Sequence, residues 1–290
     1  MSSAIGIGFA LSALIFWAMG DFLIQKSTRL IGSWKSLFVN CAVAVLALTP
    51  FVIGRLSGLS AGNWLVLGAL CVIITAAAIL DYEALRKGKF AVIEPIFGVE
   101  LPLTVVLSVL IGGEQLSLIQ VFLILLIFFG LLATAIQSKK ILRFISDFKW
   151  EAGVKYAIFA AIGMAAANFL TGIASRGSSP LVAVWAMNFF ILTVSFVIIA
   201  AQGKLRAIPR DIINKPKVIL GQAIFDNLAW VSFAFSTTYI AISITTAISE
   251  SYIALAAAMG LLINQEKLQT HQFWGVAIVV TGIIALSIVS

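Results

Sequence analysis

The stretch that decides the fold is residues 91–136, AVIEPIFGVELPLTVVLSVLIGGEQLSLIQVFLILLIFFGLLATAI. Moved forward by 152 positions, it coincides with residues 243–288. Each stretch has a long apolar run, a short polar break with a lone Glu, a Gln, and a second apolar run with Gly. The matched positions include Glu114 with Glu266 and Gln120 with Gln272. Such a repeat indicates that the chain contains two copies of one structural unit.

The composition places both copies in a membrane. The chain of 290 residues is 61% hydrophobic and 11% charged, and its mean hydropathy is +1.11. A soluble domain is about half apolar and about a quarter charged, so the surplus apolar surface must face lipid. The net charge of +7 is typical of the basic loops that orient membrane proteins, and we expect no nucleic-acid partner. The two cysteines lie within apolar runs and indicate buried thiols rather than a disulfide or a metal site.

Apolar runs of about 20 residues predict membrane-spanning helices. The sequence contains ten such runs, at about 4–25, 34–54, 63–82, 90–111, 117–137, 153–174, 180–201, 217–237, 241–263 and 270–289. The two longest connections, residues 138–149 and 202–215, are both basic. The first of them separates five spans from five. We therefore predict a first repeat at 1–137, a connecting loop at 138–152 and a second repeat at 153–290.

Five spans in each half predict an inverted repeat. An odd number of crossings turns the second half upside down relative to the first, as in transporters with a pseudo-two-fold axis in the membrane plane. The early spans support the repeat at an offset of 147, where Asp21 corresponds to Asn168 and Arg29 to Arg176. The predicted fold is an all-α polytopic protein of ten helices in two inverted five-helix repeats.

The loop charges predict the orientation. Seventeen of the 19 Lys and Arg residues lie in or beside the odd-numbered loops, and only Arg55 and Arg176 lie on the other side. Basic loops remain in the cytoplasm. This count places the odd-numbered loops inside and both termini outside.

The most informative side chains are acids within the apolar spans, where no Lys, Arg or His occupies the middle of a span. A charge at the centre of a membrane helix costs about 2.5–3.5 kcal/mol on insertion scales. Such residues usually face a water-filled cavity or the bundle interior and mark ion or substrate pathways. The five acids are Asp21, Glu94, Glu100, Asp226 and Glu250.

We predict that Glu94 and Glu250 form a functional pair near the pseudo-two-fold axis. At the repeat offset Glu250 corresponds to Gly98, which is four residues from Glu94 and on the same helix face. Burial and mutual repulsion would favour protonation of such a pair, leaving a proton to exchange. The alternative is a protonated Glu that only holds neighbouring helices together. Glu100 is six residues from Glu94, about 120° around a continuous helix, so we expect it to face elsewhere.

Asp21 and Asp226 each have a tryptophan one turn away, Trp17 and Trp230 respectively. A carboxylate beside an aromatic face suits an amine, through charge pairing and cation–π attraction. The alternative is that these tryptophans belong to the membrane interface, where Trp is enriched. Further polar side chains that could line a cavity are Asn168, Asn188, Asn227 and Tyr252.

A second group of residues is predicted to be structural. Glu114 and Glu266 follow spans four and nine, and a Glu before a helix can cap its free N–H groups. We therefore expect them to cap helices five and ten. Pro95 and Pro102 remove backbone hydrogen bonds from helix four and predict a bend there. Helix nine has alanine at both equivalent positions, so we expect the two halves to differ in this respect.

Several segments of the chain together resemble the drug/metabolite transporter superfamily, EamA type. The residues that carry the resemblance are GEQL at 113–116 with Gln120 and Gly130, QEKL at 265–268 with Gln272, Gly275 and Gly282, WAMGDF at 17–22, and YEAL at 82–85 followed by Pro95 and Pro102. The resemblance covers essentially the whole chain. It departs from the family pattern at Leu123, where the second copy has Gly275, and in the two acids of helix four.

The resemblance implies a secondary transporter of small metabolites with a central cavity lined mainly by helices one, three, four and their repeat partners. It further implies a multi-pass protein of a prokaryotic plasma (inner) membrane. The predicted substrate is a small polar metabolite, such as an amine or amino acid, moved by alternating access with proton coupling as an option. We expect no cofactor and no metal, and a monomer or weak homodimer in the bilayer.

Three other functions fit the sequence less well. An intramembrane enzyme is disfavoured because the only histidine, His271, lies at a span edge and no hydrolase or phosphate-binding motif is present. A channel would show a filter-like loop or a polar pore face on several helices, and neither is visible. A lipid or lipid-linked sugar flippase is the nearest alternative, although acidic spans do not suit an anionic headgroup.

Overall fold

The computed structural model describes residues 2–135, 153–255 and 270–290, apart from the side chains of residues 90, 91 and 135. Within these ranges the chain is helical and has no strand, so the predicted all-α class is confirmed. The helices are α1 (Ser2–Ile31), α2 (Ser33–Val52), α3 (Ala61–Lys87), α4 (Phe90–Phe97), α5 (Glu100–Leu110), α6 (Leu118–Ala135), α7 (Val154–Gly177), α8 (Pro180–Ala201), α9 (Ile208–Asn214), α10 (Pro216–Tyr239), α11 (Ile242–Ser249) and α12 (Thr270–Ile288). The predicted connecting loop at 138–152 lies outside the described residues, and the division into two repeats there stays a prediction.

The number of spans agrees with the sequence. Eight helices of the described ranges are long and apolar enough to cross a membrane. Two shorter apolar helices, Leu118–Thr134 and Ile242–Leu255, bring the number to ten. Large apolar side chains point outward, and Leu46, Leu65 and Leu118 are more than three-quarters exposed. Such a surface is stable only against lipid.

Two helices run further than the apolar runs that predict them. Hydropathy predicts that spans one and three end near residues 25 and 82, but α1 continues to Ile31 and α3 to Lys87. The last turns are polar, so a hydropathy boundary stops too early. Basic side chains such as Arg29 and Arg86 at these C-terminal ends are favoured by the helix dipole.

The helix contacts have the symmetry of an inverted repeat. The most extensive contacts join α1 with α10, α3 with α7, α2 with α8 and α6 with α12. In the repeat, α1 is equivalent to α7, α2 to α8, α3 to α10 and α6 to α12. The contact between α1 and α10 is therefore equivalent to that between α7 and α3, and each of the other two contacts joins a helix to its own equivalent. This is the pattern that a pseudo-two-fold axis produces.

Two arginines show the inversion at the atomic level. Arg176, at the end of α7, donates to the carbonyl oxygens of Thr237 at 2.7 Å and Ile240 at 3.0 Å. Arg29, at the end of α1, donates to the carbonyl oxygen of Gly88 at 2.6 Å. Gly88 and Ile240 are 152 positions apart, like the repeats. The two arginines therefore make equivalent contacts between a helix end and a neighbouring connection. Because α1 ends after one crossing and α7 after six, these contacts lie on opposite faces of the membrane.

The repeated glutamines and glycines hold α6 against α12. Gln120, at the start of α6, donates to the Val289 carbonyl at 3.1 Å, and Gln272, at the start of α12, donates to the Thr134 carbonyl at 3.3 Å. Between these ends, a Cβ added to Gly275 would lie 2.8 Å from the carbonyl oxygen of Gly130. Small residues of this kind let membrane helices approach closely.

Glu114 caps a helix, but not the one predicted from the sequence. Its two carboxylate oxygens accept from the N–H groups of Ile242 at 2.6 Å and Ser243 at 3.0 Å, the first residues of α11. The helix that follows Glu114, α6, is capped instead by Ser117 and Gln120, which bond each other's backbone N–H groups. Only the tertiary fold brings the α11 terminus within reach of Glu114. The equivalent residue, Glu266, lies outside the described residues.

Predicted spans four and nine are both interrupted, and at equivalent positions. The first is divided at residues 98–99, between α4 and α5, and the second at residues 250–251, after α11. Moving α4 forward by 152 positions gives the bounds of α11. The difference between the halves that the prolines of helix four led us to expect is therefore not seen in the positions of the interruptions. In the second half the interruption occurs without proline, through bonds of the i to i−3 type such as Ser251 N–H to Ile248 O at 3.2 Å.

Candidate functional site

A cavity of about 50 Å³ lies where the two halves meet, and its lining is acidic. None of the described residues that line it is a Lys, Arg or His. Its five carboxyl side chains come from α1, α3, α5, α10 and the interruption after α11. They are Asp21, Asp81, Glu100, Asp226 and Glu250.

A second cavity of about 40 Å³ adjoins the first. The two share Asp81, Asp226, Met164 and Trp230 in their linings. The rest of the second lining is more neutral, with the amides and phenol of Asn40, Asn188 and Tyr82.

The helix interruptions place two of the acids. Glu250 is the residue at which α11 stops, and Glu100 is the first residue of α5. Amides at an interruption are not all used within the helix, and a carboxylate at a helix N-terminus is stabilised by the dipole. Glu100 therefore lines the cavity from the first turn of a new helix. The prediction that it faces elsewhere assumed one continuous helix through residues 94–100.

Glu94 occupies a different place from the one predicted. It is 4% exposed and lines neither cavity, and neither of its carboxyl oxygens has a hydrogen-bond partner. It lies within electrostatic reach of Asp21, Asp81 and Glu250. The two members of the predicted pair are thus within electrostatic reach of each other, but only Glu250 lines the cavity. Whether the pair acts in transport stays a prediction.

Asparagines support two of the carboxyl groups. Asn168 donates to Glu250 Oε1 at 3.2 Å, and Asn40 donates to Asp226 Oδ2 at 2.6 Å. Asn227, predicted as cavity lining, lines neither cavity and instead donates to the side-chain oxygen of Asn40 at 3.1 Å. One position along a helix is a rotation of about 100°, which takes Asn227 away from the face of Asp226.

The predicted aromatic residues form one cluster at the cavity. The rings of Trp17 and Trp230 are 5.3 Å apart and meet edge to face, and the ring of Tyr252 is 6.1 Å from that of Trp17. Trp17 is 6% and Trp230 9% exposed. Both tryptophans are therefore buried beside Asp21 and Asp226 and do not lie on the outer surface of the bundle.

Comparisons with known proteins agree with the fold and the repeat. The sequence model of the EamA-like transporter family matches residues 4–136 and again residues 151–288. The chain belongs to the EamA-like transporter family. The predicted family is confirmed, and the protein is an integral, multi-pass membrane transporter of the drug/metabolite type. Members of this family are transporters rather than enzymes.

A solved structure, named only "Crystal structure of protein", shares the fold of this EamA-like transporter. It superposes with a TM-score of 0.68 over 98% of each chain, at 12% sequence identity. At this identity the likeness concerns the fold alone. No curated protein matches the chain.

Asp81 is a carboxyl residue of the cavity lining that the sequence analysis did not single out. Hydropathy ends span three at residue 82, which makes Asp81 a residue of the helix end. Because α3 continues to Lys87, Asp81 lies well inside the helix and lines both cavities. The signal is present in the sequence, since acids inside apolar runs are rare, but the predicted boundary hides it.

The chemistry of this site favours cations. Five carboxyl groups around a small cavity repel one another unless protons or a bound cation neutralise them. Within the described residues no group of His, Cys, Asp and Glu has the arrangement of a metal site. An organic cation is a ligand that both the carboxyl groups and the tryptophan faces attract.

Proposed function

We propose that this transporter moves a small amine or amino acid across the membrane by alternating access, with protons exchanged at the same acidic residues. The observation that carries the proposal is the cavity between the halves, with five carboxyl side chains and no described basic residue in its lining. Inside a bilayer each charge costs about 2.5–3.5 kcal/mol. A cationic substrate or protons, bound in turn, would offset the cost of five acids around one cavity.

The two interrupted helices supply the mechanical part of the proposal. They cross the membrane beside the cavity at equivalent positions of the two halves, and one of their ends carries Glu250. Discontinuous helices at a repeat interface are where inverted-repeat transporters bind their substrates. Rocking of one half against the other would expose Glu250 and Asp21 first to one side and then to the other. Because both halves are in one chain, a monomer suffices.

The proposed setting is a prokaryotic plasma (inner) membrane with the basic, odd-numbered loops in the cytoplasm. The support is the distribution of Lys and Arg, of which 17 of 19 belong to those loops. Arg29 and Arg176, which make equivalent contacts in the two halves, would then lie on the cytoplasmic and the outer side respectively.

The test is transport by purified protein in proteoliposomes. Amines, amino acids, a nucleoside and a sugar phosphate are offered with and without a pH gradient, and uptake and current are recorded. We expect saturable, pH-driven transport only of compounds that carry an amino group. Uptake of the sugar phosphate, or movement of labelled lipid between leaflets, would contradict the proposal and favour the flippase alternative.

Variants connect transport to the cavity. Glu250→Gln and Glu94→Gln remove one charge each with little change of shape, and Asp21→Asn does the same on α1. Loss of one charge-assisted contact lowers affinity about tenfold to a hundredfold, and loss of the exchangeable proton should abolish pH-driven uptake. Asp211→Asn, on the peripheral helix α9, is the matched control. Unchanged transport by both glutamate variants would refute the role assigned to the pair.

A further inference from the structure

The acidic site is divided into two compartments. Among the polar side chains, Asp21, Glu100 and Glu250 line only the first cavity, and Asn40, Tyr82 and Asn188 line only the second. The carboxyl groups of Asp81 and Asp226 belong to both. A ligand that filled only the first cavity would leave the amides and the phenol of the second cavity without a ligand.

Tyr82 gives independent evidence that the second cavity is built for a polar ligand. The side chain lines this cavity and is 3% exposed, and its hydroxyl group has no hydrogen-bond partner. Most buried hydroxyl groups are bonded, so an unpaired one indicates a missing partner. A phenol oxygen can accept a hydrogen bond from an ammonium group. No described side chain donates a hydrogen bond to the neighbouring Asp81, which leaves its carboxylate free for the same group.

The junction between the cavities suits a hydrocarbon chain. Besides the two shared acids it is lined by the thioether of Met164 and the indole of Trp230. Thioether and aromatic surfaces contact methylene groups favourably and adapt to their shape. A linear diamine can place its methylene groups against these two side chains and direct its ammonium groups to the acids of the two cavities.

We propose that the substrate is a divalent organic amine, with one ammonium group in the first cavity and the other between Asp81, Asp226 and Tyr82. The proposal rests on the proposed function and adds the valence of the substrate. Asp81 is then the residue that distinguishes a diamine from a monoamine, since it lines both cavities and, unlike Asp226, accepts no hydrogen bond from a described asparagine. Asp21 and Glu250 hold the ammonium group that both kinds of amine possess.

The experiment compares diamines of three to six methylene groups with monoamines of the same length, in proteoliposomes of the full chain. We expect a lower KM for at least one diamine than for its matched monoamine. Asp81→Asn should raise the KM for the diamine about tenfold to a hundredfold, the value of one charge-assisted contact, and should raise the KM for the monoamine much less. Asp81→Glu should restore the preference, and Tyr82→Phe should weaken it. Asp211→Asn should leave the ratio of the two KM values unchanged.

The outcomes separate this proposal from the proposed function. Transport of monoamines with the same KM as diamines, or an equal effect of Asp81→Asn on both, would overturn the divalent substrate and leave amine transport in place. Absence of saturable transport for every amine would overturn the proposed function itself. If Asp81→Asn no longer elutes as a single species from size exclusion, Tyr82→Phe takes its place, and an unchanged diamine preference in Tyr82→Phe would overturn the divalent substrate.

Discussion

Replacing Glu114 with Gln is expected to lower the free energy of unfolding by about 2–3 kcal/mol. The carboxylate accepts from two backbone N–H groups of α11, at 2.6 Å and 3.0 Å, and from the Ser243 hydroxyl at 2.8 Å. A helix cap is worth about 1 kcal/mol, and a carboxylate at a partly buried N-terminus adds up to about 2 kcal/mol through the dipole. Glutamine keeps one oxygen but turns an NH₂ group toward donors.

The ion pair contributes the smaller part of this effect. Arg176 Nη2 lies 3.1 Å from Glu114 Oε1, but the arginine side chain is 37% exposed, against 7% for the glutamate. A pair with one exposed member is worth less than about 1 kcal/mol. A double-mutant cycle with Arg176→Gln should therefore give a coupling energy below that value, with most of the loss belonging to Glu114 alone.

The assay is thermal unfolding of the purified protein in detergent, followed by tryptophan fluorescence. A loss of about 2–3 kcal/mol corresponds to a fall in Tm of about 4–12 °C for a chain of this size. The control is Asp211→Asn, which breaks the ion pair to Lys35 at 2.5 Å between side chains that are 18% and 23% exposed. It should change stability by less than about 1 kcal/mol. A Tm for Glu114→Gln equal to that of the control would refute the cap across the repeats.

Three further predictions concern the symmetry, the packing and the cavity. Arg176→Lys and Arg29→Lys should each lower the free energy of unfolding by about 1–2 kcal/mol in the same melting assay. The reason is that one ammonium group cannot replace a guanidinium group that donates to two separate carbonyls. A loss of stability in only one of the two variants would contradict their equivalence. Gly275→Ala should cost about 1–3 kcal/mol, since its Cβ would lie 2.7 Å from a backbone nitrogen of α6, whereas Gly68→Ala, with no atom within 4 Å, should be neutral or stabilising by up to about 1 kcal/mol. Trp17→Ala should raise the KM for an amine about threefold to thirtyfold through the lost cation–π contact, with Trp17→Phe between it and the parent in the uptake assay; equal KM values in all three would exclude that contact.

Much of the site could be anticipated from single residues. Asp21, Asp226, Glu250, Trp17 and Trp230 all line the cavity, and each was recognisable because an acid or a nearby indole inside an apolar run has few structural uses. Residues whose position depends on a helix end were harder to assign. A hydropathy window cannot place the end of a helix whose last turns are polar. It therefore assigns Asp81 to the end of span three, whereas α3 continues to Lys87.

The sequence by itself determined the class, the number of spans, the inverted repeat and the family, because hydropathy and self-similarity are properties of the chain alone. Only the tertiary structure decided which helix Glu114 caps and where the two interruptions lie. It also decided that Glu100 lines the cavity and that Glu94 does not. These features depend on contacts between residues far apart in the chain, such as the 2.6 Å bond from the Ile242 N–H to Glu114. No local pattern in the chain encodes such a distance, and the packing of one half against the other creates it.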